Sequence, residues 1–310
     1  SLMVSVSNIK IEKWAAILAG SGVIVSLLAI QDWVLLNIFQ QAVPTYAGRV
    51  VSTFGQPNFY GGYLLLTMPF FLFLLGKQMH YGRIILLGFL ISIVAIIISE
   101  SRITFMLLAL LILFGLIWQL TFRKIAFSVV LFVLSIIFIL SINFGAGFLE
   151  REIKDVQSTI NPDLIAIGVE KRYYFWPILA KLIWEKPIFG YGLENIAPVF
   201  QDYFTKNKHA LFEENLKVKP YMFGLKDLNL DRSHNYLLDL FLFSGMLGVI
   251  AWIILVIILF LKLRQKPYGR GKNVLVVSLI TYLIWIQFQN QSVVHLIYFW
   301  LLVGLIDQNS

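Results

Sequence analysis

Cysteine is missing from all 310 residues. Its absence removes disulfides, thiolate nucleophiles, cysteine-type zinc sites and iron–sulfur clusters, and leaves the redox compartment unread. Charge is also scarce: 14% of the residues are Asp, Glu, Lys or Arg, where a soluble domain carries roughly a quarter. The histidines are few, His80, His209, His234 and His295, and none shows metal-ligand spacing. Gly190-Tyr191-Gly192 lacks the third glycine and the flanking strand of a dinucleotide-binding fingerprint. No internal repeat, heptad run, low-complexity tract or cleavable signal peptide is evident. What the chain does contain is apolar: 59% hydrophobic and 15% aromatic residues, with a mean hydropathy of +0.80. An ordinary soluble protein is excluded, and lipid is the solvent for most of the chain.

A membrane helix needs about 20 mostly apolar residues. Eight candidate runs result, approximately Trp14 to Ile30, Phe59 to Gly76, Arg83 to Ser99, Ile103 to Thr121, Lys124 to Phe144, Tyr236 to Leu261, Val274 to Phe288 and Val293 to Ile306. Trp33 to Val43 is too short to span and reads as interfacial. The expected fold is all-α and polytopic, one membrane domain over 1–310: about eight transmembrane helices, five of them in 14–144 and three in 236–306, with a long extracytoplasmic loop over 145–235. Within that loop, Glu170 to Lys186 sets apolar and aromatic residues against charged ones. It reads as an interfacial helix with Trp176 and Trp184 at headgroup depth, ended by Pro187 and the glycines of PIFGYG.

Lys and Arg in short loops fix the orientation of such a set. Lys10, Lys13, Lys77, Arg83, Arg123, Lys124, Lys262, Arg264, Lys266, Arg270 and Lys272 fall on one face, while the short connections opposite hold only Arg49 and Arg102. Both termini are therefore expected in the cytoplasm and the segment from about Glu150 to Asn235 outside. That segment has twelve basic and twelve acidic residues, so the net charge of +8 resides elsewhere. It reflects topology rather than a nucleic-acid footprint.

Residues that are costly to bury gather on the expected outer face: Gln56 to Asn58, Glu100 to Arg102, Arg172, Asp231 to Asn235, and Gln289 to Gln291. Arg102 opens a span beside Glu100; a planar guanidinium there suits phosphate or carboxylate, and equally lipid headgroups or a pair with Glu100. Arg172 precedes Trp176 by one helical turn and fits either interfacial adhesion or, with Arg102, a clamp on a diphosphate. His234 sits before a span beside Asn235 and near Asp231, where an imidazole can serve as a base. The same cluster also reads as a helix cap, with Asp231, Ser233 or Asn235 bonding free N–H groups. Asp239 is an acid within a span, hence a functional candidate or an arginine partner. His295 reads as a helix-packing residue.

Four pieces, FGQPNFYGGYL (54–64), SESRITFMLL (99–108), RYYFWPILAKLIWEKPIFGYGLEN (172–195) and SHNYLLDLFLFSGMLG (233–248), with their order and the long outer loop between them, resemble the O-antigen ligase and polymerase superfamily. That superfamily consists of membrane glycosyltransferases of the bacterial cytoplasmic membrane. The resemblance implies a glycan moved from a polyprenyl-diphosphate carrier to an acceptor hydroxyl on the outer face, in cell-surface polysaccharide assembly. Arg102 and Arg172 then match the diphosphate-binding arginines and His234 the catalytic histidine. Asn235, Asp231 and Asn58, polar residues of the same outer-face groups, are expected as further substrate contacts, and Asn235 or Asp231 can orient the histidine. No metal or cofactor is implied. The partners are the lipid-linked donor, a glycolipid, glycan or protein acceptor, and membrane lipids. Two departures stand out. An acid common shortly before the glycine of the last motif is Phe243 here, and fewer spans precede the Gly55 motif than the family usually has, as in a divergent member or one lacking part of its N-terminal bundle.

The implied reaction is attack opposite the leaving group, hence inversion, with His234 as general base and the arginines holding the departing diphosphate. Transfer to a lipid core makes a ligase, to a lipid-linked repeat a polymerase, and to a protein hydroxyl an O-oligosaccharyltransferase. The first two are expected over the third, since the sequence shows no added soluble C-terminal domain. A transporter or flippase of lipid-linked glycans would show an inverted repeat, paired broken helices and midplane charges, none of which the sequence displays. A non-catalytic assembly subunit is the third reading.

Overall fold

The computed structural model describes residues 10–46, 48–77, 81–119, 169–207 and 232–308. They form α1 (Ile11–Asn37), a two-residue hairpin of β1 (Thr45–Tyr46) and β2 (Arg49–Val50), a 3-10 turn (Ser52–Phe54), α2 (Pro57–Gly76), α3 (Gly82–Ile98), α4 (Arg102–Gln119), α5 (Val169–Glu185), α6 (Ile196–Lys206), α7 (Tyr236–Gln265), α8 (Arg270–Trp285) and α9 (Val293–Asp307). Seven of the eight expected spans coincide with helices; the fifth, Lys124 to Phe144, lies outside the described residues. Helices α1, α2 and α7 are long and apolar enough to cross a membrane, and α3, α9 and residues 103–112 of α4 are apolar but shorter. The first helix runs on through Trp33 to Asn37, so part of the stretch read as interfacial continues it. Its 27 residues are about 40 Å long at the α-helical rise, more than the roughly 30 Å of hydrocarbon.

The described residues fall into two compact units, 10–119 with 257–285 and 291–308 in one, and 169–256 with 286–290 in the other. At the centre of the first unit is α2, apolar on every side and buried along nearly its whole length, as expected of a helix with neighbours all round. Small residues let its partners approach. A Cβ on Gly22 of α1 would lie 2.8 Å from the Thr67 hydroxyl, and one on Gly88 of α3 2.7 Å from Val23. The buried Ser26 and Ser92 hydroxyls of α1 and α3 lie 3.1 Å apart. Lipid gives apolar side chains no incentive to leave it, so contacts of this kind hold membrane helices together. Pro69 inside α2 removes one ladder donor, and beside it the Tyr298 hydroxyl of α9 donates to the Leu66 carbonyl at 2.8 Å.

The basic ends meet at one end of this unit. Lys77 pairs with Glu12, Lys262 with Asp307, Arg270 donates to the Gly76 carbonyl, and Lys272 to the carbonyls of Arg264 and Lys266.

In the second unit, α5 and α6 pack on the start of α7 through Ile178, Leu179, Leu182, Ile196, Phe200, Leu242 and Phe243. Here the structure departs from the continuous sixth span that hydropathy suggests. α7 is broken at Gly245 (φ 62°, ψ −159°), and its two arms fold back on each other. The Tyr236 and Trp252 rings are 4.8 Å apart, where a straight helix would separate these residues by roughly 24 Å. Gly248 faces Leu240 and Ser244 closely enough that a Cβ there would meet both. The second arm, 246–265, keeps 20 residues, about the hydrocarbon thickness. Hydropathy cannot detect the reversal, because both arms are equally apolar.

Candidate functional site

A helix break inside an apolar segment exposes carbonyls on one arm and N–H groups on the other. The loop after α5 supplies partners for both. Tyr191 and Gly192 donate to the Leu242 and Phe243 carbonyls at 2.7 and 2.9 Å, and Met246 and Leu247 donate to the Pro187 and Ile188 carbonyls at 2.7 and 3.4 Å. Gly190 and Gly245 are where the two backbones touch: a Cβ on Gly245 would be 2.2 Å from the Ile188 oxygen, and one on Gly190 2.6 Å from the Leu242 oxygen. The glycines of PIFGYG, read from sequence as a helix stop, thus also cap the reversal of α7. The Tyr191 hydroxyl donates to the Leu182 carbonyl at 3.1 Å and to the Glu185 carboxylate at 3.0 Å. Burial, then the bond to Glu185, pushes its pKa up to about 12.

At the other end of the first arm lies the segment Ser233-His234-Asn235. Asn235 caps α7, its Oδ1 accepting the Leu238 N–H at 3.0 Å, so the capping alternative is realised, and its Nδ2 donates to the Gln287 carbonyl at 3.2 Å. Ser233 is fully buried and engaged through each polar atom. Its N–H donates to Asp239 Oδ1 at 2.7 Å, its carbonyl accepts the Trp176 indole N–H at 2.9 Å, and its hydroxyl bridges the N–H and carbonyl of Asn235 at 3.1 and 2.7 Å. Between these two held residues, half-buried His234 has φ +58°. A non-glycine residue rarely adopts that conformation unless its surroundings impose it. Asp239 is 7% exposed. Trp176, expected at headgroup depth, contacts the histidine segment, whereas Trp184 is 81% exposed.

Arg232, immediately before Ser233, pairs with Glu194 and lies over the Phe243 ring at 4.8 Å. Arg232 belongs to the polar cluster visible in the sequence, but its partner Glu194 looks there like an ordinary loop charge. The aromatic that replaces the expected acid at 243 is therefore core on one side and a seat for a guanidinium on the other.

A second group lies in the first unit. Arg49 donates to the Ser99 and Glu100 carbonyls at 3.4 and 3.3 Å, the place where a cation offsets the negative end of α3. Glu100 has φ +49° and turns the chain into α4, whose first residue is Arg102. The FGQPNFYGGYL and SESRITFMLL pieces meet here, since a Cβ on Gly61 would lie 2.7 Å from the Ser99 hydroxyl. Asn58 is half-buried one turn before Gly61. Gly62 leaves room for Trp285, whose ring stacks on His295 at 4.2 Å. The expected packing role of His295 is visible: it is fully buried and forms a capping box with Ser292 at 2.7 Å.

Of the other expected site residues, Arg172 stands in α5 one turn before Trp176, and Asp231 lies outside the described residues. Of the five non-glycine residues with positive φ among those described, Glu100, Glu194 and His234 lie in the sequence pieces singled out above. Strained backbone of this kind concentrates where geometry is functionally constrained.

These features define a helical membrane protein with a reversed, capped helix beside a held histidine. Residues 87–253 match the O-antigen ligase family, and the chain belongs to that family. No match to a curated protein or to a solved structure was found. Membership carries a role in membrane glycan transfer.

Proposed function

We propose that the protein transfers a glycan from a polyprenyl-diphosphate carrier to an acceptor hydroxyl on the outer face of a bacterial cytoplasmic membrane, as an O-antigen ligase or polymerase-like enzyme, with both termini in the cytoplasm. The observation that carries this reading is the conformation of His234: a left-handed residue in the matched region, flanked by two residues whose polar groups are engaged. The acceptor oxygen forms its bond to the anomeric carbon as the bond from that carbon to the diphosphate breaks, and the proton passes to the His234 imidazole and then to water. Attack from the face opposite the leaving group inverts the anomeric centre.

Arg102 and Arg172 hold the diphosphate and offset the charge it gains on leaving. Substrate contacts are assigned to Asn58, Asn235 and Asp231 on the sequence alone. The Asn235 side chain also secures the cap, so its removal affects the loop as well as contacts. The orientation is supported by the gathering of basic helix ends at one end of the first unit. The interfacial assignment of the α5 end and the loop after it is supported by exposed Trp184 of the helix and Ile188, Phe189 and Leu193 of the loop, an apolar surface suited to acyl chains.

The test uses purified protein in nanodiscs with a polyprenyl-diphosphate-linked glycan and a panel of acceptors: lipid core, lipid-linked repeat and protein hydroxyl. Wild type is expected to transfer glycan and release polyprenyl diphosphate. His234→Ala is expected to bind donor and lose about 10²- to 10⁴-fold in rate. The productive acceptor names the subclass. Equal rates in the two proteins would remove His234 from the chemistry, and donor movement across the bilayer without transfer would favour a transporter.

A further inference from the structure

We propose that Asp239 is a positioning residue for His234, acting with Trp176 by clamping the two ends of Ser233. This rests on the reading of His234 as the base. Asp239 lies one turn inside the first arm of α7, and its carboxylate reaches back past the helix start to the Ser233 N–H at 2.7 Å. Trp176, from α5, takes the carbonyl of the same residue at 2.9 Å. Fixing the N–H and the carbonyl of Ser233 fixes the peptide planes on both sides of it, and the second of these leads into His234. On the far side, Asn235 is held by the helix it caps and by the Gln287 carbonyl. With both flanks fixed, His234 has a narrow range of φ and ψ left, and it occupies the left-handed region at φ +58°. A base must be held within a fraction of an ångström of its productive position, and displacement by about 1 Å costs about 10²-fold in rate.

The clamp also gives a physical sense to two sequence peculiarities. A carboxylate that is 7% exposed in an apolar segment is costly unless satisfied, and here the Ser233 N–H is one of the groups that meets it. Position 243, where the family resemblance leads one to expect an acid, holds Phe243, packed in the core and under Arg232. Asp239 is four residues earlier on the same helical face, one turn nearer the histidine.

The experiment compares wild type, Asp239→Asn, Asp239→Ala, Trp176→Phe and His234→Ala as full-length protein in nanodiscs. It measures kcat and donor KM for transfer and hydrogen–deuterium exchange of the peptide covering 233–235. Asparagine retains an oxygen that accepts the Ser233 N–H, so Asp239→Asn is expected to stay within about tenfold of wild-type kcat, whereas Asp239→Ala falls about 10²-fold with donor KM unchanged. Exchange at 233–235 should rise in Asp239→Ala and Trp176→Phe and remain low in Asp239→Asn. Trp176→Phe keeps an aromatic ring against the core cluster while removing the indole N–H donor and part of the ring volume, so it gives a reading even if Asp239→Ala does not fold. Unchanged exchange in Trp176→Phe and in whichever Asp239 variants fold would overturn the clamp. Asp239→Asn as slow as Asp239→Ala would overturn it in favour of a role for the negative charge. If His234→Ala transfers at the wild-type rate, the catalytic reading fails, and the exchange data still decide whether Asp239 and Trp176 hold the segment.

Discussion

Replacing Gly245 with alanine tests the reversal of α7 directly. The residue has φ 62° and ψ −159°, a region open essentially to glycine, and forcing a side chain into such regions costs of order 1–3 kcal/mol. Strain is only the first term. The new Cβ would sit 2.2 Å from the Ile188 oxygen and 2.6 Å from the Phe189 nitrogen. Both are backbone atoms, so no rotamer change relieves the overlap and the 187–192 loop must move. Four backbone hydrogen bonds join that loop to the break, and each contributes about 0.5–1.5 kcal/mol net. Losing even two of them with the strain brings the cost to about 3 kcal/mol, a drop in melting temperature of roughly 5 °C for a chain of this size. The assay is thermal unfolding of purified protein in nanodiscs, with Gly20→Ala as control, since a Cβ there meets nothing within 4 Å. A melting temperature for Gly245→Ala within about 1 °C of wild type, well below the expected shift, would refute the argument that the loop and the break are locked together.

Gly62→Ala would place a Cβ 2.2 Å from the Trp285 ring and disturb its stack on His295; overpacking of this kind is expected to cost about 1–3 kcal/mol, read by the same thermal assay. The Tyr191 pKa is raised to about 12, so the neutral phenol's stabilisation is fully present below its unfolded value of about 10 and is lost as pH rises through the folded value. The stability difference between wild type and Tyr191→Phe should therefore be constant up to about pH 10 and shrink above it, measured by denaturation across the alkaline range. Because the chain has no cysteine, a spin label on Phe189→Cys is unique; in nanodiscs it should show oxygen accessibility typical of the acyl region, and water-like accessibility would count against an interfacial anchor.

Much of this protein is decided by composition alone. Runs of apolar residues near 20 long have few ways to satisfy their backbone except as helices, so six of the expected spans appear as continuous helices at nearly the expected positions and the sixth in chain order as two helical arms broken at Gly245. The basic loops gather at one end because the chain alternates direction between them. Asn235 is legible as a polar residue before an apolar run, which is what a helix start requires. The partnerships are a different matter. Hydropathy sees a continuous segment from Tyr236 to Leu261, and only the packing of the 187–192 loop against Gly245 makes a reversal cheaper than a straight helix, by supplying the hydrogen bonds the break would otherwise leave open. The same holds for Asp239 and Trp176. Their sequence positions identify an unusual acid and an interfacial indole, but that both close on Ser233 depends on contacts between residues 57 and 6 apart along the chain. Local chemistry determined which segments are helical and which residues are out of place in lipid; tertiary structure decided which of them face each other, because that follows from long-range backbone approach at a few glycines.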